Sequence, residues 1–189
     1  GMTIDANDLK PFETKQSPSV EQSGSQDAVR VRELLQQAQR PVLLAGNGIR
    51  LSQAEDEFLA LVDSFGIPVL TSRRGADLLP EDHPCFFGRP GVYGQRRANF
   101  VIQNADLLIS IGSRLSIPLI GRNVRSFARA ATKVVVDIDQ AELDKETVSA
   151  DISVQMDAKS FISSMLQSLS GYTASHGAWV TRCTQWSIR

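Results

Sequence analysis

The stretch "DLLISIGSRL", Asp106 to Leu115, decides how this sequence is read. An apolar run ends abruptly in Gly112, Ser113 and Arg114: a tight turn, a hydroxyl and a fixed positive charge. Apolar residues that continue without alternation mark a strand covered on both faces, as in a parallel sheet. In an open parallel sheet, ligands bind where the strands end.

Working outward, the same form recurs. "VLLAGNG", Val42 to Gly48, is wholly apolar before Gly46-Asn47-Gly48, and "IPVLTS" ends in Thr71 and Ser72 ahead of Arg73. "KVVVDID" ends in Asp137, Ile138 and Asp139, and "DISVQMD" in Met156 and Asp157. Helical patterns lie between these runs. Val29, Val31, Leu34, Leu35 and Ala38 share a near-helical spacing that Pro41 stops. "SQAEDEFLALVDSFG" offers Ser52 as N-cap, Glu55 at the capping-box position and Gly66 after the last turn. Further helices are predicted over 93–104, over 124–130, in "AELDKE" and in "AKSFISSMLQSL". Trp179, Cys183 and Trp186 fall on one face of a last helix, read as docking on a surface outside this chain. The alternation predicts an α/β fold: a doubly wound, six-stranded parallel sheet with helices on both faces. The six strands fall near 42–46, 67–71, 85–87, 107–112, 133–138 and 152–156.

Composition narrows the function classes. With 189 residues, 42% of them hydrophobic, the chain can bury a core without disulfide staples. A net charge of −1 gives no global argument for nucleic acid or an anionic membrane. Locally the balance differs: from His83 to Val136 there are seven arginines and Lys133 against one acid, Asp106, which favours a phosphate-bearing small molecule. Cys85 and Cys183 stand apart without metal-ligand spacing, and no run reaches the ~20 apolar residues that span a bilayer. A soluble, cytoplasmic protein is the expectation. Residues 1–24, polar and punctuated by Pro11 and Pro18, read as a linker.

The turns suggest a nucleotide. Gly46-Asn47-Gly48 and Gly112-Ser113-Arg114 let a ligand approach the backbone, and an arginine can hold a phosphate bidentately. A carboxylate ending "VVVDID", Asp137 or Asp139, could accept from a ribose. Against this, "GNG" is not a full G-x-G-x-x-G, and such a turn is often only a connection. Most arginines in such a segment are solvated surface charges, and His83 and His176, in loop-like contexts, read as surface residues. The sequence holds no nucleophile elbow, no H-E-x-x-H and no P-loop.

The segment "GRPGVYGQRRANFVIQNADLLISIGSRL", Gly88 to Leu115, joined to "ATKVVVDIDQAELDK", resembles the central domain of thiamine-diphosphate-dependent enzymes, above all the acetolactate synthase large subunit. The resemblance covers residues 25–170, with "LKPFE" at Leu9 to Glu13 resembling the linker from a preceding pyrimidine-binding domain. Residues 171–189 resemble a linker helix toward a following diphosphate-binding domain. The resemblance implies a Rossmann-like fold of the FAD- or NAD-binding type. Carried over by motif, the cofactor-binding candidates are Gly46, Asn47, Gly48, Thr71, Arg73, Gly91, Ser113, Arg114, Leu115, Asp137, Ile138, Asp139, Met156 and Asp157. Flavin-containing members commonly have a glycine triplet where this chain has Asn47, and Gly-Asp where it has Met156-Asp157. Other members carry no flavin or bind a different nucleotide, so FAD and its alternatives both stay open.

What the resemblance implies for function is the central domain of a 2-keto acid carboligase or decarboxylase. In the full-length enzyme, expected to be a homodimer or tetramer, thiamine diphosphate and magnesium would be held by other domains. The G-D-G signature with its downstream Asn pair is absent from these 189 residues, so no catalytic residue is assigned and the chain alone is expected to be inactive. Two rival readings are a stand-alone nucleotide-binding or regulatory module and an NAD-consuming deacylase of the sirtuin type. The second lacks its four-cysteine zinc ribbon, since the chain has two cysteines.

Overall fold

The computed structural model describes residues 24–173 and 175–186, so the linker expected over 1–24, with its "LKPFE" segment, lies outside the described residues except for Gly24, which begins the first helix. Five parallel strands form the sheet: β1 (Pro41–Ala45), β2 (Val69–Thr71), β3 (Leu107–Ile111), β4 (Thr132–Asp137) and β5 (Ile152–Gln155). Their spatial order is β2-β1-β3-β4-β5, every pair parallel. The chain leaves β1 toward β2 on one side and reaches β3 on the other. The crossovers therefore diverge between β1 and β3, and a crevice opens at their carboxyl ends.

The expected sixth strand, 85–87, is not one. It makes a single parallel bridge, Val69 to Phe86, supported by backbone bonds from Val69 to the Cys85 carbonyl and from Phe87 to the Val69 carbonyl. Pro84 and Pro90 cannot donate to a ladder, and Gly88 turns the backbone away at a positive φ of 96°.

Period-two alternation sorts each strand between two cores. Leu43, Ala45, Leu107, Ile109, Ile111, Val134 and Val136 enter one, under α1 (Gly24–Gln37), α3 (Glu55–Phe65) and α7 (Ala158–Ser168). Val42, Leu44, Leu108 and Val135 enter the other, under α4 (Arg96–Asn104), α5 (Ile117–Ile120) and α8 (Gly177–Gln185). Both faces are covered, which is why β1 and β3 are buried at every position. Phe58, Phe65 and Phe161 are fully buried in the first core, each contributing about 1.5–3 kcal/mol by leaving water. Asp106, at the head of the opening stretch, accepts from the backbone N–H groups of Gln39 (2.9 Å) and Arg40 (2.8 Å), tying the α1–β1 connection to β3.

Four local expectations are corrected. Ser52 does not cap α3. It closes the short helix α2 (Gly48–Leu51), its hydroxyl donates to the Ile49 carbonyl, and Ala54 stands at the N-cap because Gln53 takes a positive φ of 55°. The helix expected over 124–130 is one 3-10 turn, Val124–Ser126, ended before Ala128 at φ 42°. The last helix docks on its own domain. In α8, Trp179 and Cys183 are buried, the Trp179 indole donates to the Pro41 carbonyl at 3.0 Å, and Trp186 packs on Phe100 of α4. His176, expected at the surface, is only 3% exposed at the N-terminus of α8.

Candidate functional site: a cleft across the strand ends

One extended cleft, roughly 1580 Å³, crosses the carboxyl ends of the strands. Its middle is built by two touching turns. The Gly48 N–H donates to the Gly112 carbonyl at 3.0 Å, and the Gly46 N–H to that of Ile111 at 2.8 Å. A Cβ on Gly46 would collide with the Gly112 carbonyl, and one on Gly48 would lie 2.7 Å from the Gly112 Cα. The glycines let the turns after β1 and β3 nest together, leaving the N–H groups of Asn47 and Ser113 without a protein acceptor among the described residues.

Of the fourteen candidates read from the sequence, all but Gly46, Thr71 and Gly91 line this cleft. Gly46 serves the turn contact. Thr71 is fully buried at the end of β2, and its hydroxyl has no partner among the described residues. Gly91, at φ 120°, is needed for packing, since a Cβ there would press on the backbone of Pro118 and Leu119. The two aspartates differ because the strand ends between them. Asp137 ends β4 and is buried, whereas Asp139 lies past the strand and caps α6 (Gln140–Leu143) by accepting from the Ala141 N–H. Asp157 likewise caps α7 through the Lys159 and Ser160 N–H groups. Met156 is buried at the end of β5 and Ile138 is exposed.

Electrostatically the cleft has two unlike ends. Beyond β2 stand Arg73, Arg74 and Arg89, none of which has an acid partner among the described residues. Arg89 arrives there because the 85–88 segment runs beside β2, Thr71 donating to the Gly88 carbonyl at 3.1 Å. Beyond β4 the charges are paired. Arg114 is bonded to Glu142 through Nε (2.8 Å) and Nη2 (2.5 Å), and Lys145 reaches the other Glu142 oxygen at 2.7 Å. The Lys145 hydrogen bond holds the Glu142 carboxyl below its usual range, with the Arg114 bond adding to it. Burial pushes Asp137 the other way, above the usual carboxylate range. Its Oδ1 accepts from the Asp139 N–H at 3.1 Å. At the turn between, Ser110, buried in β3, meets the Ser113 hydroxyl at 2.6 Å.

Sequence reasoning missed Arg74, Arg89, Tyr93, Glu142 and Lys145. The i,i+3 spacing in "AELDKE" signalled the Glu142–Lys145 pair, but its partner Arg114 lies 28 residues away. No group of three or more His, Cys, Asp or Glu able to hold a metal occurs among the described residues.

A sequence profile described as the thiamine pyrophosphate enzyme, central domain, matches residues 29–165. The chain belongs to this family. Among curated proteins, this thiamine pyrophosphate enzyme central domain is 39% identical over 140 residues to a probable acetolactate synthase large subunit of Methanocaldococcus jannaschii, covering 74% of this chain and 23% of the relative. It is 39% identical over 136 residues to another, of Methanococcus aeolicus, covering 72% and 22%. With the acetolactate synthase isozyme 2 large subunit of Escherichia coli it shares 30% identity over 156 residues, 82% of this chain and 27% of the relative. The central-domain chain thus spans about a quarter of the length of these relatives.

Proposed function

We propose that this chain is the central domain of a thiamine-diphosphate- and magnesium-dependent 2-keto acid carboligase or decarboxylase of the acetolactate synthase type. Its Rossmann-like cleft would hold an extended adenine dinucleotide such as FAD, and the chain alone would not be catalytic. The names of its relatives support the first part. The single observation that carries the second is the unbroken cleft over five strand ends, cationic at one end and lined by carboxylates at the other.

The residues present fit such a ligand. Asn47 and Ser113 offer free backbone donors at the nested turns, where a diphosphate gains most from N–H groups. Asp137, at the end of β4, is placed to accept from ribose hydroxyls, while Asp139 and Asp157 are engaged as helix caps. Arg73, Arg74 and Arg89 stand ready for further anionic or carbonyl groups. They do not fit thiamine diphosphate with magnesium, because the metal-diphosphate signature is missing from the sequence and no metal-binding cluster occurs among the described residues. Thiamine diphosphate, bound in the whole enzyme, supplies the electron sink for decarboxylation, and this domain supplies position. The substrates would be 2-keto acids, and the assembled enzyme a cytoplasmic homodimer or tetramer. No helix among the described residues is long and apolar enough to cross a membrane.

The test is a thermal melt of the chain across titrations of FAD, ADP and NADP. A ligand that binds only the folded state adds about 2.7 kcal/mol at a hundredfold excess over Kd. A melting temperature unmoved by millimolar amounts of all three would remove the nucleotide and leave the cleft as a surface between domains. Acetolactate formed from pyruvate by the pure chain, with thiamine diphosphate and magnesium, would overturn the non-catalytic assignment.

A further inference from the structure

We infer that Glu142 is an internal competitor for the anion site at the turn after β3: it occupies Arg114 in the free protein, and a ligand phosphate binds by taking Arg114 from it. The inference rests on the nucleotide reading of the cleft. Arg114, Glu142 and Lys145 all face that cleft, the Arg114 side chain 76% exposed and the Glu142 side chain 15%. Arg114 and Leu115 both take positive φ, 58° and 40°, so the turn is held in a conformation that non-glycine residues rarely adopt. That conformation, with the Lys145 ammonium bonded to the Arg114 carbonyl, fixes where the guanidinium starts.

The charge count makes the exchange feasible. One carboxylate serves two cations, with Arg114 on Oε1 and Lys145 on Oε2. When Arg114 leaves, Glu142 keeps Lys145 and no buried charge is orphaned. The Arg114 bond is the exposed and replaceable one of the two. The Glu142 bond raises the pKa of the guanidinium, and Asp137 and Asp139 add to it with further negative potential, so an incoming phosphate meets repulsion as well as competition. Arg73, Arg74 and Arg89 show the alternative: cations in the same cleft with no ion pair to an acid among the described residues.

The experiment titrates ADP and inorganic pyrophosphate calorimetrically into the wild-type chain, Glu142→Gln, Arg114→Ala and the double variant. Glutamine keeps the size and one acceptor but removes the charge. Both probes should bind Glu142→Gln about tenfold more tightly, the scale of one charge-assisted bond no longer broken. Arg114→Ala should weaken both, and adding Glu142→Gln to it should change little. A purely structural strap predicts the reverse, since loosening the turn would weaken binding. Glu142→Asp, one methylene shorter, should act in the same direction as glutamine and serves if that variant does not fold. Binding to wild type that is unchanged or weaker in both Glu142 variants overturns the inference and leaves the cleft reading intact. Absence of binding of either probe, and of FAD, to any variant overturns both.

Discussion

The β2 end and the β4 end of the cleft carry cations of the same kind and treat them in opposite ways. At the β2 end Arg73, Arg74 and Arg89 line the cleft from two segments and form no ion pair among the described residues. At the β4 end Arg114 and Lys145 share Glu142, and Asp137 and Asp139 add negative charge near Arg114. Like charges held together without counter-ions repel, and they persist where a ligand or a neighbouring surface supplies the opposite sign. A saturated cluster instead fixes geometry and resists an added anion. The difference teaches that net positive charge in the sequence does not by itself locate a phosphate. What matters is which arginines remain unengaged after folding.

The comparison breaks most violently at the hinge the two ends share. Gly46→Val must push the turn after β1 off the turn after β3, and should cost about 1–3 kcal/mol or more, read as a fall in melting temperature with loss of any nucleotide-induced shift. A variant as stable as wild type would show that the turns can part. Next, Arg73→Ala combined with Arg74→Ala should leave the fold within about 0.5 kcal/mol of wild type, as expected of exposed groups without partners. It should nevertheless lower FAD affinity and flatten its dependence on salt, measured by titration at low and high ionic strength. Unchanged affinity and salt slope would make these arginines ordinary surface charges. At the other end Glu142→Ala leaves two cations side by side, and should lower stability by about 1 kcal/mol in denaturant unfolding. A cost no greater than that of the double arginine variant would erase the distinction between the ends.

The smallest effect should arise away from both ends, at His176. Burial holds its pKa below 6.5, with Asp106 and the Leu35 backbone opposing. The unfolded chain then binds more protons than the folded one as pH falls through 6.5, so stability is present above that pH and declines below it. The slope is some fraction of the ~1.4 kcal/mol per pH unit that a whole proton would give. His176→Asn should flatten the pH 7 to 5.5 dependence of melting temperature. An unaltered slope would place the titration elsewhere.

Much of the sheet was legible because β1 and β3, apolar but for Ser110, run without alternation, the pattern that burial on both faces demands. The glycine turns could be read for the same reason, since an apolar strand followed by Gly, Asn or Ser has to leave the core there. The errors share one cause. Cys85–Phe87 was read as a strand from local composition, but its flanking prolines and Gly88 limit it to one bridge. Ser52 had the right type and spacing for a cap, yet the left-handed Gln53 moves the helix start to Glu55. His176 reads as a loop residue until Leu35 and Asp106, far away in sequence, close over it. Arg114 was read as free for a phosphate because nothing near it in sequence announces Glu142.

The docking of α8 has an optical consequence. The chain has two tryptophans, Trp179 and Trp186, and both lie at α8, edge to face with ring centroids 5.7 Å apart. Neither lines the cleft, where the aromatic side chain is that of Tyr93, 87% exposed. Intrinsic tryptophan emission from this protein therefore reports on one helix and its seat against α4 and Pro41, not on the sheet or its ligand. A dinucleotide settling over the strand ends should leave that emission nearly constant apart from any absorption or energy transfer by the ligand itself. In denaturant, a fluorescence transition that precedes the loss of far-ultraviolet circular dichroism would mean that α8 peels away before the sheet opens.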